Sequence, residues 1–80
     1  MGRGPEYRVY AFDAAEIELR RFRGGRAFTA AFECYHRLTA DPTLTRLWRT
    51  RPAGSALQFV GVPIRRDSRG GWEPDPEAMA

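Results

Sequence analysis

The chain has 80 residues, with thirteen arginines against ten acids and a formal net charge of +3. That length leaves room for one domain burying only roughly 60% of the surface its unfolded form exposes, which excludes a second lobe and a large core. Its single cysteine, Cys34, excludes an intramolecular disulfide, and one cysteine with one histidine cannot close a structural zinc site; packing alone must hold the fold, and no metal or cofactor is expected.

No apolar run reaches the roughly 20 residues of a bilayer-spanning helix, so no membrane partner is expected. The opening MGRGPEYR lacks the apolar stretch of a signal peptide and carries Glu6 where N-myristoylation wants Ser or Thr. The expected location is the cytoplasm or a viral particle. Every basic residue is Arg, and neither Lys nor Asn occurs, the codon signature of a GC-rich genome. Part of the arginine content is therefore coding bias rather than ligand chemistry. Residues 1–72 hold all thirteen arginines against seven acids, net +6, while residues 73–80 hold three acids and no base, net −3.

In chain order, EYRVYAF alternates Tyr7, Val9 and Ala11 against Arg8, Tyr10 and Phe12 and predicts a strand. In DAAEIELRRFRGG, Asp13 and Glu16 have capping-box spacing, acids lead, arginines close, and Gly24 suits a C-terminal cap; these signals predict a short helix. The strict alternation of EIELR keeps a strand, paired back on the first, as the alternative for residues 16–22. RAFTAAFECYHRL places Phe28, Ala31, Phe32, Tyr35 and Leu38 on one helical face and predicts the core helix. Asp41 and Pro42 are suited to cap and open a third helix over TLTRLWRT, with Leu44, Leu47 and Trp48 on its apolar side.

RPAGSA reads as a loop and LQFVGVPIRR as a strand at a sheet edge or with a bulge, because Pro63 has no N–H for a ladder. DSRGG is a turn from which Trp72 returns as a partner strand, so residues 59–72 form a β-hairpin with arginines at its tip. EPDPEAMA predicts an extended acidic tail. The expected fold is α+β: a single small domain over 1–72 with an N-terminal strand, two to three helices and a C-terminal β-hairpin, then an extended acidic Pro-containing tail over 73–80.

Catalytic signatures are absent from the sequence. Cys34 and His36, two apart on a helix, point about 200° apart and cannot meet. The carboxylate pairs Glu16/Glu18 and Asp75/Glu77 fall at a helix start and in a tail, without the burial that separates pKa values for acid–base work. Only Ser55 and Ser68 offer serine hydroxyls, both in loops, and no phosphate-binding glycine loop or metalloprotease motif occurs.

The order helix, helix, turn, helix and two-stranded ribbon resembles a winged helix-turn-helix DNA-binding domain in outline over residues 13–72. The resemblance implies DNA contacts from Thr43, Thr45, Arg46 and Arg49 on a recognition helix, with residues 42–50 in the groove and Arg65, Arg66 and Arg69 on the wing. The reading ranked ahead of it is a non-enzymatic protein-binding or assembly module, such as a small bacterial or phage accessory protein. It would dock on a larger protein, or in a homo- or hetero-oligomeric assembly, through the hairpin edge and an aromatic/arginine surface of Tyr10, Trp72, Arg65, Arg66 and Arg69.

Overall fold

The computed structural model of the chain describes residues 5–54 and 56–79. Six strands and two helices follow in the order β1 (Glu6–Phe12), β2 (Ile17–Arg23), α1 (Ala27–Leu38), β3 (Arg46–Ala53), β4 (Ala56–Phe59), β5 (Ile64–Arg66), β6 (Trp72–Pro74) and α2 (Pro76–Met79). All strand pairings are antiparallel, in the order β2-β1-β3-β5-β6, with β4 also paired to β3.

This corrects the α+β expectation of two to three helices with an appended hairpin: the molecule is mostly one antiparallel sheet, with one three-turn helix and one short one. The predicted helix over 13–23 is a turn followed by β2. Asp13 does act as a cap, its Oδ1 accepting from the Ala15 and Glu16 amides at 2.7 and 2.8 Å, but Asp13 N donates to Glu16 O at 3.1 Å and closes a hairpin turn instead. A side-chain oxygen two or three residues ahead of an amide serves an Asx turn as well as a helix start. The alternation of IELRRFR then decides for a strand in register with β1, Val9 opposite Arg20 and Tyr10 opposite Leu19.

The same ambiguity misplaces the third helix. Asp41 Oδ1 accepts from Thr43 N and Oγ1, Leu44 N donates to Asp41 O, and the chain turns into β3 rather than into a helix. Leu47 and Trp48, set on one helical side by their spacing, lie on opposite faces of the sheet, as neighbours in a strand must. β3 is the central strand, and it satisfies the backbone groups on the second side of β1, in which Val9 and Ala11 are buried.

The predicted strand LQFVGVPIRR is interrupted. Thr50 faces Phe59 and Leu47 faces Ile64, so three steps along β3 oppose five along its partner, and Val60 to Pro63 form the bulge that Pro63 anticipates. Gly61 takes the positive φ of +83° this requires. The DSRGG turn is present: Asp67 Oδ1 accepts from the amides of Arg69 and Gly71, and Trp72 returns as β6. The tail is not extended beyond that strand, because Pro76–Met79 is α2, with Ala78 N donating to Asp75 Oδ1 at 3.3 Å.

Helix α1 forms where the periodicity predicts it, but it packs on one face of β1, β2 and β3 and is rotated from the predicted face. Its buried residues are Ala27, Ala31 and Cys34, small enough for a close approach to the sheet, while Phe28 and Phe32 are largely exposed. The core between the layers is Val9, Ala11, Ala31, Leu44 and Leu47, flanked by Tyr7, Phe22, Tyr35, Leu38, Ile64 and Trp72.

Candidate interaction face

Alternation sorts the side chains of each strand between two faces. Val9, Ala11, Phe22, Leu47, Ile64 and Trp72 turn toward α1, and the remaining strand positions form a second face that α1 does not cover. Ladder pairing lines these up in rows: Ile17, Phe12 and Arg46; Leu19, Tyr10 and Trp48; Arg21, Arg8, Thr50 and Phe59; Arg23 beside Glu6, and Pro52 beside Leu57. Trp48 is the centre of an aromatic cluster, its ring centroid 4.5 Å from Phe12, 6.1 Å from Tyr10 and 5.6 Å edge-on from Phe59. Around it Ile17 and Leu57 are 61% and 48% exposed, and Leu19 is 37% exposed. The four rings are partly buried against one another, and the apolar surface left open lies at Ile17, Leu19 and Leu57 around them.

Most of its arginines have carboxylate partners, with Arg8 and Arg23 sharing Glu6, while the exposed Arg21 forms no ion pair among the described residues. Glu6 accepts from Arg8 Nε at 2.6 Å and from Arg23 Nε at 2.9 Å. The Arg8 hydrogen bond, opposed by partial burial and assisted by Arg23, holds the Glu6 carboxyl below the usual carboxylate range. Arg65 pairs with Glu73 at 2.9 Å. Arg46 pairs with Glu77 and, at 3.5 Å, with the fully buried Asp75, whose other oxygen caps α2. Asp75 also accepts from Trp48 Nε1 at 3.1 Å, so α2 is pinned over the Arg46 corner of the face.

The residues anticipated as protein contacts do not form one patch. Tyr10 and Arg65 lie on the open face, whereas Trp72 turns inward and donates from Nε1 to Thr39 O at 2.9 Å. Arg66 is a clamp: Nε, NH1 and NH2 donate to the carbonyls of Leu44, Gly70 and Asp41, and its guanidinium carbon sits 3.8 Å from the Trp72 ring centroid. Arg69 stands exposed in the turn.

Nor does a recognition helix exist, since residues 42–50 are a turn and the first part of β3. Thr43 bonds Asp41, Thr45 Oγ1 donates to Phe12 O, and Arg46 is committed to Asp75 and Glu77. Arg49 lies on the α1 side, 5.1 and 5.0 Å from the Phe32 and Tyr35 ring centroids, with Nε donating to Val60 O. Ser55 lies outside the described residues; Ser68 is exposed in the β5–β6 turn. No helix among the described residues is long and apolar enough to cross a membrane.

Sequence reasoning offers Trp48, with Tyr10 and Trp72, as part of a contact patch but does not single out Phe12, Ile17, Leu19, Leu57 and Phe59 as members of this face. The available signal is that EYRVYAF carries aromatic residues in both phases of its alternation, Tyr10 and Phe12 following the charged Glu6 and Arg8 on the side away from Tyr7, Val9 and Ala11.

Three carboxylates have pKa values below their ordinary ones: Glu6 through Arg8, Asp13 through the Glu16 and Ala15 amides, and Asp41 through Thr43. A lowered folded-state value contributes stability above the unfolded value, lost as pH falls through the folded one. The melting temperature should therefore decline as pH drops from about 5 through the carboxylate range. Asp13→Asn and Asp41→Asn together should flatten that decline; an unchanged slope would show the two turns carry no such linkage.

No protein-family model, no curated protein and no solved structure matches this chain.

Proposed function

We propose that the protein is a non-enzymatic docking module that binds a larger protein through the open face of its sheet. The observation that carries this reading is a partly exposed aromatic cluster, flanked by the exposed Ile17, Leu19 and Leu57, beside arginines of which Arg8, Arg23 and Arg65 already pair with carboxylates of their own chain. A phosphate backbone would have to break those ion pairs, whereas an apolar protein surface leaves them intact as a polar rim. Tyr10, Phe12 and Trp48 form the centre, Leu57 and Phe59 one flank, and Arg8, Arg23 and Arg65 the rim. Glu6, held ionised, suits a fixed ion-pair role rather than proton transfer.

A photoreactive phenylalanine analogue at position 57, on the open face, and another at position 37, exposed on the far side of α1, test the reading in the cells of origin. One protein crosslinking from position 57 and not from position 37, with Trp48→Ala reducing the yield several-fold, is expected. Equal crosslinking from both positions, or crosslinks to nucleic acid alone, would overturn it. Anisotropy against duplex and single-stranded DNA should show only attraction that vanishes near physiological salt.

A further inference from the structure

We infer that the free edge of β2 pairs with β2 of a second copy of this chain, antiparallel, about a two-fold axis at Leu19. Among the described residues β2 pairs only with β1, so its other side is an unprotected edge seven residues long. It contains no proline, glycine or bulge, and among the described elements β2 is contacted only by β1, along the ladder, and by α1, which packs on one face of the sheet. Such an edge is a template for another strand.

The backbone fixes which residues can pair there. Gly24 N donates to Pro5 O at 3.0 Å and Asp13 N to Glu16 O at 3.1 Å, which brackets the ladder in the register Glu6 to Arg23 through Phe12 to Ile17. In an antiparallel ladder both polar groups of one residue point to the same side, alternating along the strand. Even-numbered residues therefore bond β1, and the amides and carbonyls of Ile17, Leu19, Arg21 and Arg23 point outward. A symmetric pair must join odd-numbered residues to odd-numbered ones, which leaves few registers.

Side-chain charge selects among them. A register centred on Arg20 sets that arginine against its own copy, and one centred on Glu18 does the same for a carboxylate. A register centred on Arg21 opposes two more arginines. Centred on Leu19, Glu18 of each chain faces Arg20 of the other twice over, Leu19 meets Leu19, and Ile17 lies opposite the aliphatic stem of Arg21. Glu18 and Arg20 already pair within the chain at 3.0 Å with both side chains reaching solvent, so Glu18 can be exchanged for its counterpart in the second copy while Arg20 Nη1 keeps its 3.7 Å contact with Cys34 Sγ. The twofold sheet would also run the row Leu19, Tyr10 and Trp48 continuously from one copy into the other. This inference stands independently of the docking reading, since it uses the strand edge and not the face.

The test is sedimentation equilibrium of the full chain to about 1 mM, a range that captures weak self-association. A monomer–dimer equilibrium is expected. Arg20→Glu should weaken it by about 10-fold or more, and the double exchange Glu18→Arg with Arg20→Glu should restore it, because the pairing is reciprocal. Mild oxidation should link Leu19→Cys into a disulfide dimer, since facing Cα atoms lie about 5.5 Å apart in a bonded pair, and should leave Arg21→Cys unlinked. Cys34 is buried in α1 and does not compete. Circular dichroism confirms that each variant is folded. A monomer throughout, failure of the double exchange to restore association, or equal linking from positions 19 and 21 would overturn the proposal.

Discussion

Arg66→Ala is expected to lower the unfolding free energy by about 3 kcal/mol, because three charge-assisted hydrogen bonds and the cation–π stacking on Trp72 disappear together. The guanidinium ties the loop before β3, through Asp41 O at 2.6 Å and Leu44 O at 2.9 Å, to the β5–β6 turn, through Gly70 O at 2.9 Å. It also roofs Trp72, whose indole N–H is bound to Thr39 O. Two segments more than 20 residues apart in sequence thus meet at one planar group, and alanine leaves their carbonyls without that donor. For a chain of this size the whole stability is on the order of 4–12 kcal/mol, so the loss is a large fraction of it. Arg66→Lys should recover less than half, because an ammonium cannot present the same fork. Urea denaturation checks both; wild-type stability for Arg66→Ala would show that the arginine is a free surface group instead.

Asp75→Ala should cost about 2–4 kcal/mol and release α2 from the sheet. The carboxylate is fully buried and serves Trp48 Nε1, Arg46 and the Ala78 amide at once. Its own amide donates to Pro63 O at 2.8 Å, which fastens β6 to the end of the bulge. Without the carboxylate, Arg46 retains Glu77 and solvent, but the indole N–H has no replacement nearby. Asp75→Asn keeps an acceptor for Trp48 while weakening the hold on Arg46, and should cost about half as much. The measured quantities are the urea midpoint and the exchange rate of the Trp48 indole proton, which should rise in the alanine variant. An unchanged indole rate would mean that Asp75 does not anchor this corner.

Both predictions concern residues whose surroundings are illegible in the linear pattern. Arg66 reads as the tip of a basic finger, and nothing near it in sequence announces that Leu44, Asp41 and Trp72 enclose it. Asp75 sits among prolines and acids in what reads as a solvated tail. Its burial depends on Trp48 arriving from 27 positions away, on a strand that the spacing of Leu44, Leu47 and Trp48 disguises as a helix.

Local signals are reliable where one geometry alone satisfies them. The alternation of EYRVYAF, the helical periodicity through Leu38, the DSRGG turn and the strand break at Pro63 can be read from the residues, because backbone sterics and side-chain period act within a few positions. The two Asp-led segments are different. An aspartate oxygen satisfies the amides of an Asx turn and of a helix N-terminus equally, so Asp13 and Asp41 cannot choose. The choice falls to the partners: β1 has backbone groups to satisfy on both sides, and β2 and β3 satisfy them while burying Val9, Ala11 and Leu47 under α1. The open face follows from that pairing, since an aromatic cluster built from β1, β3 and β4 exists only once their registers are set.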